Sequence, residues 1–412
     1  MRFMLLWLFG IILGAAAMAQ TPENNPKNNV ESKYQALATF ATVLEMVHSR
    51  YVDSDKATYE KLIQSAIRGM MEDLDIYTGF EDQDEFQQTS QVLNGMLTGI
   101  GVVISKEPDL PLRIVTTAAD SPAFEAGLKE NDLITAIENQ NTASLKLTEC
   151  LKLIQGKSGS TVKLQISRGS EKPFWVNLIR QQINIGTIPE QGIRKLTKDI
   201  GYIRITVFNT ETPSHFDNAM KKLMKKNISA LVIDLRNNPG GLMDSAIALA
   251  SRFLPPGSII MHTSSRDRKN EQTIKASDKV PNRVPSNIQV AVLVNEYSAS
   301  AAEIFAGALN DNRRAKIIGA RTFGKGTVQQ IQQLPDGSAI RMTIGRYLTP
   351  SKEVIQNRGI TPDVLIKVPL NDRAVLNLQL ILHPGIIEPS EGRGITDYAL
   401  KKAVSILSGE KH

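Results

Sequence analysis

The chain of 412 residues holds one cysteine, Cys150. A single thiol cannot close an intrachain disulfide, and paired-cysteine zinc sites are excluded with it. Histidine is nearly as sparse. His48, His215, His262, His383 and His412 are the whole supply, and none stands in an H-E-x-x-H run. The G-x-S-x-G nucleophile elbow is also missing, so a Ser/His/Asp triad has no local support and a metallohydrolase has less. No metal and no cofactor is expected. Charge of one sign is not concentrated either: 48 basic against 42 acidic residues leave an excess of six. The densest basic run, "MKKLMKKN" at 220–227, sets Lys221, Lys222, Lys225 and Lys226 against Met220, Leu223 and Met224. That is the pattern of a solvated helix face, so no nucleic acid partner is expected.

Long hydrophobic runs are absent after the first twenty residues. Those twenty carry Arg2, an apolar run from Phe3 to Leu13, and small residues ending in Ala17-Met18-Ala19. This is the pattern of a secretory signal peptide (1–19) cut after Ala19, which predicts a periplasmic or cell-envelope protein. Residues 20–33 are polar and rich in Pro and Asn, and read as a disordered linker.

The length predicts two or three domains. Residues 34–90 read as a helical region. Leu37, Phe40, Leu44, Val47 and Tyr51 recur at spacings of three and four, and a second stripe runs from Tyr59 to Met70. Packing of these stripes on the rest of the chain is expected ahead of self-association. Residues 91–180 turn to short alternating segments such as "TVKLQISR", a β-rich module interrupted by one helix, "LKLTECLKLIQG". Residues 181–370 alternate apolar strands with amphipathic helices, the signature of a layered α/β domain with a largely parallel sheet. Within it, 264–287 reads as a polar insertion, either a lid or mobile surface. Residues 371–412 close the chain as a helical region.

Three strand ends in the α/β domain carry chemistry. "NEYSASAAEIFAGALNDN" (295–312) follows an apolar strand and starts a helix near Ser300, whose backbone N–H groups would stabilise an oxyanion. Taken alone, Ser298 or Ser300 reads as a helix N-cap. "ARTFGKGTVQQ" (320–330) places Lys325 between two glycines that let the amine turn inward. Desolvation there favours the neutral amine, which is then a general base for a serine hydroxyl. Gln329, four residues on, is positioned to orient that amine. "DLRNNPGG" (234–241) forces a turn whose glycine N–H groups face outward, supplying a second oxyanion donor beside the N–H of Ala301.

As a set these motifs resemble the carboxy-terminal processing peptidases, or tail-specific proteases. The resemblance implies Ser300 as nucleophile, Lys325 as base, Gln329 as the residue orienting it, and the N–H groups of Gly241 and Ala301 as the oxyanion hole. It also identifies the β-rich module, with "LTGIGVVIS" and "DSPAFEAGLKENDLITAIENQ", as similar to a PDZ domain. Gly99, Ile100, Gly101 and Val102 would then hold the terminal carboxylate of a substrate tail. The fold implied is mixed α/β, with a PDZ domain ahead of a crotonase/Clp-like catalytic domain and helices at the amino terminus. The implied partners are proteins with exposed C-terminal tails, with an adaptor protein and a homo-oligomer also expected. A PDZ-containing binding protein, or a peptidase inactive without its adaptor, stays open as an alternative.

Overall fold

The computed structural model describes residues 26–93, 96–107, 109–118, 121–184, 186–266, 271–281, 283–369, 376, 380 and 396–409. The predicted signal segment and His383 lie outside them. The chain divides into two compact units, Met1–Asp73 and Leu74–His412.

In the first unit the helices Pro26–Arg50 and Tyr59–Glu72 are joined through a short 3-10 turn, Ser54–Lys56. The helix begins within the stretch expected to be a disordered linker. Pro26 explains this start, because a proline at the first helical position gives up only an N–H that would lack a partner anyway. The His48 ring stacks on Tyr59 at 3.9 Å and Thr58 caps the second helix by accepting the Lys61 N–H. Of the expected stripe, Leu44 and Val47 are half-buried, while Leu37, Phe40 and Tyr51 are exposed.

The second unit contains the β-rich module and the α/β layers. In the module, the strands Val102–Ser105, Leu112–Thr117, Leu133–Ile137, Thr161–Ser167 and Phe174–Ile179 form an antiparallel sheet in that order. Val162, Leu164 and Ile166 alternate inward with no exposed surface, as the period of two required. They meet Ile114, Ile134 and Cys150, the last carried by the helix Leu147–Ile154. Each such fully buried aliphatic side chain stabilises the module by ~1.5–3 kcal/mol.

The central sheet runs Ile193–Lys195, Ile200–Arg204, Ala230–Asp234, Gln289–Val294, Lys316–Gly319, Val364–Leu365. Only the first pair is antiparallel. Its strands are covered on both faces, so both alternating sets are apolar. Leu231, Ile233 and Val292 point to the helices Thr212–Met224, Met243–Phe253 and Ala301–Asp311. Tyr202, Val232 and Leu293 point to the helix Tyr398–Leu407 through Ala399 and Ala403. A second, antiparallel sheet joins Gly79–Glu81, Ala339–Leu348, Ile259–Ser265 and Thr273–Lys275, with Thr327–Gln333 paired to Ala339–Leu348. The segment 264–287, expected as a lid or mobile surface, therefore supplies the end of one strand at 264–265 and the whole of another at 273–275. Arg283 then ties the following loop down by donating to the carbonyls of Ser251 and Leu254 at 2.8 and 2.6 Å.

Candidate active site

Three neighbouring parallel strands, Ala230–Asp234, Gln289–Val294 and Lys316–Gly319, end on the same side of the sheet. Carboxyl ends of parallel strands are where α/β proteins gather their sites. The first two turns are sewn together by asparagines. Asn237 N–H donates to Asn295 Oδ1 at 2.9 Å, Asn295 Nδ2 donates back to Asn237 Oδ1 at 2.7 Å, and Ala299 N–H reaches the Asn238 carbonyl at 2.9 Å. Ser298 is fully buried, accepting the Asn295 N–H and donating to the Leu235 carbonyl. Its job is to hold the turn.

Both glycines of the first turn are sterically required. Gly240 lies at φ 100°, and a Cβ there would stand 2.7 Å from the Ala299 carbonyl oxygen and 2.9 Å from Ala301 N. Gly241 lies at φ 131°, and a Cβ there would overlap the Phe208 carbonyl oxygen. The N–H groups of Gly241 and Ala301 have no hydrogen-bond partner among the described residues. Ser300 itself takes φ 56° and ψ −117°, a conformation that costs a non-glycine residue about 1–3 kcal/mol and persists only where its surroundings fix it.

What fixes it is Glu303, a residue the sequence reading passed over. Its carboxylate is completely buried. Oε2 accepts the N–H groups of Ser300 and Lys325, each at 2.9 Å, and Oε1 accepts Gly324 N–H at 2.7 Å and the Thr322 hydroxyl at 2.5 Å. One side chain thus binds the backbone of both the Ser300 turn and the Lys325 turn. Burial raises its pKa against the pull of these four bonds. The signal was present as S-x-x-E, a capping-box pattern, but its reach to the lysine turn is a tertiary fact.

Lys325 is placed less completely. Its Nζ sits 4.6 Å from the centroid of the Tyr77 ring and makes no hydrogen bond among the described residues. Burial lowers its pKa, helped by the Arg341 charge and opposed by Asp75. Asp75 is itself a turn residue, accepting the N–H groups of Tyr77 and Thr78 at 2.8 Å each. The expected contact from Gln329 is absent: its Nε2 donates to Thr343 Oγ1 at 2.7 Å, drawn there because Thr343 lies opposite it in the strand ladder. Tyr347, fully buried, donates to the Lys325 carbonyl.

Beneath the first turn lies a buried ionic cluster. Asp234 accepts from Tyr202 at 2.7 Å and from the Arg236 guanidinium, and Arg236 also bonds Asp397 at 2.8 Å. Burial would raise the Asp234 carboxyl, but the Arg236 and Arg204 charges bring it down to about 2. Asp397 caps the helix Tyr398–Leu407, so the closing helix is anchored to the strand that feeds the glycine turn.

Within the module, Gly99, Ile100, Gly101 and Val102 line a cavity of about 520 Å³. Gly101 lies at φ 78°, and a Cβ there would overlap Ser121. The N–H groups of Ile100 and Gly101 have no hydrogen-bond partner among the described residues.

Comparison with known proteins agrees with this arrangement. Residues 199–366 match the model of peptidase family S41, and residues 113–168 match a PDZ domain. The chain is 33% identical over 377 residues to the carboxy-terminal-processing protease of Bartonella bacilliformis, covering 90% of this chain and 84% of that one. It is 35% identical over 328 residues to the carboxy-terminal processing protease CtpA of Bacillus subtilis, covering 79% and 68%. An S41 protease structure from Bacteroides fragilis shares the fold, at TM-score 0.53 and 18% identity over 88% of this chain and 92% of that one. The chain belongs to peptidase family S41, the carboxy-terminal processing proteases, a family of serine-type peptidases that act on proteins.

Proposed function

We propose that this chain is an exported endopeptidase that cuts proteins near their carboxyl terminus, with Ser300 as nucleophile and Lys325 as general base. Ser300 Oγ attacks the scissile carbonyl carbon and its proton passes to neutral Lys325 Nζ. The developing oxyanion takes the N–H groups of Gly241 and Ala301. Collapse of the intermediate returns the proton to the leaving amine, leaving an ester on Ser300. Water then attacks that ester, again giving its proton to Lys325. Substrate tails dock in the PDZ cavity at Gly99–Val102.

The observation that carries this reading is Glu303, whose one carboxylate binds the turns of both Ser300 and Lys325. An inert scaffold gains nothing from a buried carboxylate so placed. Assays of Ser300→Ala and Lys325→Ala on a protein with an apolar, unstructured tail test it, and undiminished cleavage by either variant would refute it.

A second reading refines the first: activity depends on an adaptor or on self-association. It rests on the Lys325 amine lying over Tyr77 and on Gln329 bonding Thr343, so that both side chains must move before proton transfer. The exposed apolar side chains of the helix Pro26–Arg50 suit such a partner. Comparing purified protein alone with protein plus cell-envelope extract tests this, and full activity in the pure protein would remove the requirement.

A further inference from the structure

The cavity at Gly99–Val102 is not built by the PDZ module alone. Arg204, Thr206 and Asn237 of the peptidase layers line it as well. On the module side it has the features of a strand-accepting groove. Among the described residues the strand Val102–Ser105 is paired on one edge only, to Leu112–Thr117, while Leu151 and Ile154 supply apolar contact.

Arg204 is unusual among the buried charges. It is 2% exposed, and only Nη2 is hydrogen-bonded, to the Arg236 carbonyl at 3.1 Å. Nε and Nη1 have no hydrogen-bond partner among the described residues. The nearest carboxylate oxygen, Asp234 Oδ2, stands 3.6 Å from Nη1 and already serves Tyr202 and Arg236. A buried guanidinium with unused donors is costly unless something pairs with it. Ile100 and Gly101 line the same cavity, and their N–H groups also have no hydrogen-bond partner among the described residues. A cavity lined by an under-paired guanidinium and two free N–H groups suits an anion.

Resting on the PDZ reading above, we propose that Arg204 is a specificity-determining residue: the terminal α-carboxylate of a substrate tail is held between the Ile100 and Gly101 N–H groups and the Arg204 guanidinium. The bound tail then bridges module and peptidase sheet.

The test uses the full chain carrying Ser300→Ala, so that the peptide survives. Binding of an apolar-ended peptide is compared with that of its C-terminal amide, with Arg204 intact and with Arg204→Met. With Arg204 intact the free carboxylate is expected to bind at least roughly tenfold more tightly, the scale of a charge-assisted bond. In Arg204→Met most of that preference disappears while the amide binds as before. An unchanged preference in Arg204→Met overturns the proposal and leaves the PDZ reading standing. No preference even with Arg204 intact overturns both. Should Arg204→Met fail to fold, a peptide with a photoreactive terminal residue decides the matter on the Arg204 protein. Labelling within 203–206 supports the proposal, and labelling confined to the PDZ module overturns it.

Discussion

The serine turn and the end of the lysine side chain differ in how far the fold finishes them. Around Ser300 the backbone is held on several sides: asparagines tie the two loops, Gly240 and Gly241 have no room for a Cβ, and Glu303 holds the Ser300 N–H. Around Lys325 only the backbone is fixed, by Glu303 and Tyr347, while the amine rests on an aromatic face. Electrostatic stabilisation works best preorganised, because it then costs no rearrangement during the reaction. A base on a flexible four-carbon stem can be withheld and supplied. On the proposed reading the oxyanion donors are permanent, and the proton acceptor is the part left to be switched.

The largest effect should come from removing the switched part. Lys325→Met keeps the serine turn and fills the same space, and kcat/KM is expected to fall roughly 10⁴-fold, the scale seen when a triad partner is lost, with thermal stability retained. A fall of only a few-fold would give the base's role to another group.

Breaking the shared carboxylate comes next. Glu303→Gln turns an NH2 toward donors, and each buried group left without a partner costs about 1–3 kcal/mol. A stability loss of 2–6 kcal/mol is expected for two such groups, read from denaturant unfolding, with activity lost beyond the fraction unfolded. Normal stability and activity would mean that Glu303 does not hold the turns.

The pH profile separates the two regions without a mutation. Burial favours the neutral Lys325 amine, so activity should rise with pH through an apparent pKa below the ordinary lysine value of about 10.4. Stability follows the same sign. Between the folded and unfolded pKa values the unfolded chain carries the extra proton, so this residue's contribution rises with pH across that window. A flat activity profile would contradict a lysine base.

The smallest effect is expected at the parking place. Tyr77→Leu removes the aromatic face that holds the protonated form of Lys325 by a cation–π contact worth about 0.5–2 kcal/mol, which frees the side chain to reach the serine. Basal kcat should rise roughly two- to thirtyfold with KM little changed. A fall in kcat would show that Tyr77 supports the productive geometry instead.

Much of this was legible in the sequence, for identifiable reasons. Strand ends followed by Ser-Ala-Ser, Gly-Lys-Gly and Pro-Gly-Gly are local signals, and they located Ser300, Lys325, Gly241 and Ala301 at one edge of the sheet. The parallel sheet was readable because doubly covered strands are apolar at every position. What escaped was long-range. Tyr77, Tyr347 and Arg204 come from three different parts of the chain, and nothing in their neighbours marks them. The short strand Thr273–Lys275 was hidden in a lysine-rich run because its pairing with Ile259–Ser265 stabilises it more than its own propensity does.

The central claim, that Ser300 is activated by Lys325, is tested most directly by covalent labelling. A serine-reactive fluorophosphonate is added to the wild-type chain and to Lys325→Ala, with the adduct located by peptide mass. The account predicts a single adduct on Ser300 that forms in the wild type and is lost in Lys325→Ala. An adduct on another serine, or labelling of Ser300 at the same rate without Lys325, would contradict it.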